Sequence, residues 1–418
     1  LRVSGVQVVQ PSDSLAASQM PDTLLRLDRL DVHIQAAPLL RGQVEVDGVT
    51  LQGVEVNSAG LIDGMSLSGR LGRFHVESHG VDLTRDSVTI NTVQLSDTRL
   101  SLVLADTTAT VDADTTGALL PWKFVLHSLR LDNVAVDLRM PLDSLALRAR
   151  LGEAVVEDAE ADLAHEAYAL KHFRLSDTSV GYDQGYGTPA EGFDPAHIAL
   201  RGVQVEVDSV GYCGRNLNAV IRQLALDDRS GLSVTALTGC LRADSSLISI
   251  PSLRLQTPHS EVSVAAHTYW ELVEMPTTGR LSLKLDARVG KQDVLLFAGG
   301  LPQAFKDAYP FRPFTLRAGT DGNLRQMQLS HLSAELPGAF RIEGKGGMFD
   351  VTDSLSRRLG LDLTMQTGNL NFLTSLTGEA PDGSLQVPDS MTLGAHLRLE
   401  GSQCTARLAL DEAGGTLD

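Results

Sequence analysis

Cysteine is scarce in this chain. Cys213, Cys240 and Cys404 lie far apart in 418 residues. They offer no CxxC or Cys/His spacing that would suit zinc, and an odd number builds no disulfide framework. Aromatic residues make up only 5%, too few for a sugar-binding platform or for stacking single-stranded nucleic acid. Positive charge is also in deficit. Lys and Arg number 35 against 52 Asp and Glu, a net charge of −17, which argues against sequence-independent nucleic-acid binding. No apolar run reaches the ~18 residues that a membrane-spanning helix needs. The chain opens on Leu1 without Met, basic n-region or apolar h-region, and stops at GGTLD in mid-pattern. Both ends read as cuts through a longer protein.

Catalytic constellations are missing as well. His75 and His79 are four apart, but they sit in a strand pattern, where that spacing separates the rings by more than about a dozen ångströms. Gly344-Lys345-Gly346-Gly347 lacks the full phosphate-loop spacing and its Ser/Thr. Gly299-Gly300 lies within helical spacing and reads as a kink. The many Asp residues fall at strand breaks, where they suit turn geometry, and show no paired spacing for general acid–base work. The sequence therefore predicts no catalytic residue, no metal site and no cofactor.

What is present is alternation. From Leu24 to Val56 apolar and polar residues alternate in pairs: Leu25 and Leu27; Leu30, Val32 and Ile34; Val44 and Val46; Val49 and Leu51; Val54 and Val56. This is the pattern of a strand with one apolar face. The phase slips at Asp28-Arg29, Asp47-Gly48 and Gln52-Gly53. A three-residue step keeps both apolar partners on one face only if the chain turns or bulges between them. Two hairpins there would leave a strand far below the usual ~5–6 residues, so long strands bent at bulges are expected. The fold class read from this pattern is all-β: an elongated, strongly curved antiparallel sheet with one face apolar along its whole length and a few short helices.

A repeat runs through the first half. Arg70-Leu71-Gly72 recurs at Arg150-Leu151-Gly152, Asp82-Leu83 at Asp162-Leu163, and Leu95–Thr98 (LSDT) at Leu175–Thr178, all 80 residues apart. Three matches in one register point to an array whose units bury their apolar faces only against neighbours. The predicted organisation is a first β-repeat region at 1–105, a polar, mobile loop at 106–121, further groove repeats at 122–290, a helical insertion at 291–310, and more groove repeats at 311–418. Asp293–Tyr309 has helical spacing broken at Gly299-Gly300 and Pro302, which predicts two short helices meeting at a kink. They are expected to bring Leu295, Leu296, Phe297, Leu301 and Phe305 together as a plug or cap on the groove. A further short helix is expected at Asn371–Thr377.

The pattern PLLRG-x-V-x-V-x-G-V-x-L at Pro38–Leu51 resembles the N-terminal repeat of the TamB/AsmA-like family of envelope proteins. Trp122–Asp137, Tyr182–Val203, Gly290–Phe314, Leu336–Gly346 and Asn371–Ser384 carry the same resemblance, which covers nearly the whole chain. Members of that family begin with an inner-membrane anchor and end with a domain that meets an outer-membrane barrel of the TamA-like kind. Both would lie outside this sequence.

The resemblance implies that the strands form a long, U-shaped groove with an apolar trough inside, a periplasmic segment of a Gram-negative envelope bridge that conducts phospholipid to the outer membrane. Its partners would be phospholipid acyl chains, an outer-membrane barrel and the inner membrane. The lipid-facing candidates are Leu30, Val32, Ile34, Val44, Val46, Val49, Leu51, Val54 and Val56. A translocation or assembly scaffold for outer-membrane or secreted proteins is the main alternative. A surface adhesin or a β-solenoid enzyme is a third reading.

Overall fold

The computed structural model describes all residues except 10–22, 36–45, 59–63, 83–85, 105–121, 186, 355, 375, 377–390, 413–414 and 418. The expected polar loop at 106–121 and the PLLRG segment thus lie outside the described residues. The rest is all-β, with four short helices among the described residues. It divides into two compact units, one of Leu1–Pro189 with Asp194–Arg229, the other of Ala190–Phe193 with Ser230–Asp418.

The first unit is a ladder of ten strands. They are β1 (Arg2–Val9), β2 (Thr23–Ile34), β3 (Val46–Asn57), β4 (Met65–Asp82), β5 (Ser87–Leu104), β6 (Lys123–Met140), β7 (Leu145–Asp162), β8 (Ala167–Gln184), β9 (His197–Cys213) and β10 (Asn216–Asp228). Each pairs with the next in sequence, and every pairing is antiparallel except β5 with β6, which runs parallel. The antiparallel expectation thus holds apart from this seam. Alternation cannot reveal it, because it reports faces and not direction.

The phase slips are bends inside long strands, as the short spacing between them requires. The slip at Gln52-Gly53, and five places like it in other strands, put one residue in a left-handed backbone conformation: Gly53 (φ 63°), Gly5 (71°), Asp97 (50°), Asn133 (54°), Asp177 (50°) and Gly202 (57°); the slips at Asp28-Arg29 and Asp47-Gly48 carry no left-handed residue. Only Gly adopts this conformation freely, with Asn and Asp next. The local sequences share one grammar. They are Val3-Ser-Gly-Val6, Leu51-Gln-Gly-Val54, Leu95-Ser-Asp-Thr98, Leu131-Asp-Asn-Val134, Leu175-Ser-Asp-Thr178 and Leu200-Arg-Gly-Val203. The left-handed third residue lets the first and fourth share a face.

The 80-residue repeat is a structural repeat. β4 and β7 have the same length and begin 80 residues apart, and so do β5 and β8. Gly72 and Gly152 occupy the same place in it. A Cβ at Gly72 would fall 2.8 Å from Asp97 Cβ, and one at Gly152 would fall 2.6 Å from Asp177 Cβ. The recurring Gly and Asp are thus opposite halves of one tight crossing.

The second unit is a ladder of β11 (Ser233–Val234), β12 (Ala236–Ala243), β13 (Leu247–Gln256), β14 (Glu261–Tyr269), β15 (Leu281–Val289), β16 (Phe314–Gly322), β17 (Gln326–Leu336), β18 (Phe340–Phe349), β19 (Arg358–Thr367), β20 (Met391–Glu400), β21 (Gln403–Glu412) and β22 (Gly415–Leu417). From β12 onward consecutive strands pair antiparallel. Its helices are α1 (Trp270–Glu274), α2 (Lys291–Phe297), α3 (Gln303–Ala308) and α4 (Asn371–Thr374). α2 and α3 are the two short helices expected around Gly299-Gly300 and Pro302. α1 has no counterpart in the sequence reading.

Candidate functional site

Directly paired residues on neighbouring strands share a face. The register therefore turns the alternation of single strands into rows that cross the sheet. One row runs Val3, Leu30, Leu51, Phe74, Leu95, Leu131, Ala154, Leu175, Val205 and Leu224, from β1 to β10 without a polar member. Beside it run Val32, Val49, Val76, Val93, Leu129, Val156, Phe173, Val207 and Ile221. At about 4.8 Å per strand, ten strands carry such a row for about 43 Å. That exceeds the length of one acyl chain, since two of them span a hydrocarbon core of about 30 Å. The second unit repeats the arrangement within itself. Leu255, Val262, Ala287, Leu316, Ala334, Ile342, Met365 and Leu393 form one such row.

These rows are covered only in part. Among the described residues the buried apolar side chains on the strands are Val134, Ala154, Val203, Ala287 and Leu336. Val134 and Val203 follow the left-handed residues Asn133 and Gly202, and Ala154 pairs with Leu131 and Leu175, close to such residues. Two threonines join them. Thr98 and Thr178 are buried on the apolar face, and each donates its hydroxyl to a carbonyl of its own strand, Ser96 O at 3.1 Å and Ser176 O at 3.2 Å. A satisfied hydroxyl lets a polar residue sit in an apolar row. The sequence reading, which counted Thr as polar, passed over both.

Most of the proposed lipid-facing residues fall in these rows. Leu30, Val32, Val49, Leu51, Val54 and Val56 are half-buried, and Ile34 is exposed. Val46 pairs with Ile34 through its backbone. Val44 lies outside the described residues.

The helices occupy a different place. β15 ends, β16 begins, β17 ends, β18 begins and β19 ends at one rim of the second unit's sheet, as the pairs Val289–Phe314, Leu336–Phe340 and Phe340–Thr367 show. There α2, α3 and α4 build the largest buried cluster: Phe305, Tyr309, Leu336, Ala339 and Phe372, with Leu295 packed against it. The Lys291 ammonium is buried among carbonyls and donates to Tyr309 O at 2.8 Å. Asp293 is buried too and accepts from the hydroxyls of Thr257 and Ser260. The five residues expected to form a plug are not brought to one face. Phe305 and Leu295 enter the cluster. Leu296 turns its carbonyl to the Phe193 amide, Phe297 meets the Phe193 ring while 66% exposed, and Leu301 is exposed. Leu336, Phe314 and Phe340, which meet this cluster, lie two residues along their strands from Ala334, Leu316 and Ile342 and so share the face of the apolar row, which the helices cover at this rim.

The polar face carries a lattice of arginine–carboxylate contacts, Arg130–Asp132, Arg139–Asp137 and Arg148–Asp183 among them. It also holds the nearest approach to a metal-ligand set among the described residues: His172, Glu206 and Asp208. There the His172 ring, 2.7 Å away, and the Arg222 guanidinium, 2.6 Å away, together hold the Asp208 carboxyl below the usual carboxylate range. A guanidinium already on the carboxylate competes with a cation. His75 makes ordinary contacts to Thr50 and Glu77, and the side chain of His79 is outside the described residues. No helix among the described residues is long and apolar enough to cross a membrane. No family model matches the chain, and no curated protein matches it.

Proposed function

We propose that this chain is a lipid-conducting segment, carrying acyl chains along the apolar rows while head groups remain in water. One observation carries the reading. The apolar face of the first unit is continuous across ten strands, yet its rows are only half-buried. A sheet that packs on a conventional core buries such positions fully. Each CH₂ moved from water onto such a face gains about 0.8 kcal/mol, so an unbroken row holds an acyl chain at every point along its length. A break in the row would be a barrier of several such increments.

The resemblance to TamB/AsmA-like envelope proteins supports the same reading and gives it a setting. The chain would act in the Gram-negative periplasm, between an inner-membrane anchor and an outer-membrane barrel, as part of the machinery that maintains the outer membrane. No step in this function calls for a catalytic residue. Native mass spectrometry of the purified chain is the test. Co-purified phospholipid that is released by organic extraction is the expected result. A lipid-free chain that instead retains unfolded outer-membrane polypeptide would replace this reading with that of an assembly scaffold.

A further inference from the structure

The polar face of β3–β6 contains a concavity of about 1010 Å³, lined by Arg70, Arg73 and Arg99 with the hydroxyls of Ser68, Ser96 and Ser101. Arg70 and Arg99 stand directly opposite each other on β4 and β5. Like charges so placed destabilise a sheet. Arg130, Arg139, Arg148 and Arg174 of this face lie within hydrogen-bonding distance of carboxylates. Here, among the described residues, the only carboxylate contact of the three is Arg70 to Glu55, at 3.9 Å. The carboxylate in the cavity wall, Asp97, accepts from Asn133.

The internal repeat supplies a control. The same backbone recurs 80 residues later, with the same Gly–Asp crossing. There Arg70 is matched by Arg150, but Arg73 is replaced by Glu153 and Arg99 by Ser179. Arg150 and Ser179 face each other without repulsion, and Glu153 takes contacts from Arg130 and Arg174. The bend therefore does not require three arginines. Their presence in the first repeat, in a chain of net charge −17, needs another reason.

We infer that this cavity is a binding site for a phosphate-bearing anion. Guanidinium forks match phosphate oxygens in bidentate geometry, the serines add neutral donors, and a bound anion converts the Arg70–Arg99 repulsion into shared attraction. The site lies on the face opposite the apolar rows, so it is separate from the proposed acyl path and does not depend on it.

The test uses the 418-residue chain and two probes. Inorganic pyrophosphate is titrated calorimetrically, and phosphatidylglycerol vesicles are compared with phosphatidylcholine vesicles by flotation. The variant Arg73→Glu with Arg99→Ser copies side chains that the second repeat already accommodates, so it keeps the fold, which circular dichroism checks. It is expected to weaken binding at least tenfold. Arg139→Gln, which removes an arginine already paired with Asp137, is expected to leave binding unchanged. Pyrophosphate binding with this dependence identifies a soluble phosphate. Binding of phosphatidylglycerol vesicles alone, with the same dependence, identifies a lipid head group. Failure of both probes, or a double variant that binds as well as the parent chain, overturns the inference.

Discussion

Asn133 Nδ2 donates to Asp97 Oδ1 across 2.7 Å, joining two left-handed residues on the two strands of the parallel seam. Each residue serves the other. A short polar side chain tolerates the left-handed backbone, and the hydrogen bond fixes the bend of β5 beside the bend of β6. Asn133→Val removes the bond and places a β-branched residue at positive φ. The expected loss is about 2–3 kcal/mol, from left-handed strain of about 1–2 and a hydrogen bond of about 1. Asn133→Gly keeps the conformation and is expected to lose less. Urea midpoints of the two variants decide the order, and equal midpoints would remove the backbone argument.

The crossing of Gly152 beneath Asp177 leaves no room for a methyl group. Gly152→Ala is expected to cost about 1–3 kcal/mol through overpacking. Gly72→Ala, at the equivalent crossing, is expected to cost a similar amount. Gly187→Ala, where a Cβ meets nothing within 4 Å, is the control. Thermal denaturation of the three variants reads the difference.

A charge in a half-buried apolar row separates a conduit from a sealed core. Leu51→Asp is expected to leave the fold intact, because an open face keeps water within reach of the carboxylate, and to abolish lipid co-purification. In a closed core the same change would cost several kcal/mol and unfold the sheet. Photo-crosslinkers at Leu51 and Phe74 are expected to capture lipid, while one at the exposed Glu55 captures none. Unfolding of Leu51→Asp, or absence of lipid adducts at both apolar positions, would return these residues to an ordinary core role.

Acid should weaken the polar face. The Lys171 ammonium and the His127 ring hold Asp158 below the ordinary value of 3.8, His165 does the same for Asp162, and His172 with Arg222 for Asp208. A carboxylate depressed in the folded state stabilises the protein above its unfolded pKa and ceases to do so as pH falls through the folded one. The melting temperature is therefore expected to change little between about pH 7 and 5 on account of these groups, then to fall below about pH 4. Asp208→Asn is expected to show a shallower acid limb. An identical limb in the variant would show that Asp208 does not contribute to it.

Much of this was legible in the sequence for a physical reason. Alternation reports which side chains share a face, and the three-residue step at Leu51–Val54 reports where the backbone bends. Direction and register leave no such trace. The parallel pairing of β5 and β6 was therefore invisible, and so was the convergence of Arg70, Arg73 and Arg99, which depends on which residues stand opposite. The helix α1, a single turn of WELVE, is too short to show a period. The helical segment was legible as helices, but which of its side chains join the buried cluster was not, because spacing along one segment does not say which part of the sheet it meets.

The parallel seam has a consequence for symmetry. The interval that carries β4 and β5 onto β7 and β8 contains three strands. In a pure meander an odd count reverses every strand from one copy to the next, so successive copies would be related by rotation and not by translation. One parallel step cancels that reversal. The β4–β5 and β7–β8 turns consequently lie on the same rim, and the Gly–Asp crossings of both copies run in the same sense. A chain that gains or loses a whole three-strand block, seam included, keeps its rows in phase and its rims in place. Length can thus change by duplication without redesigning the face.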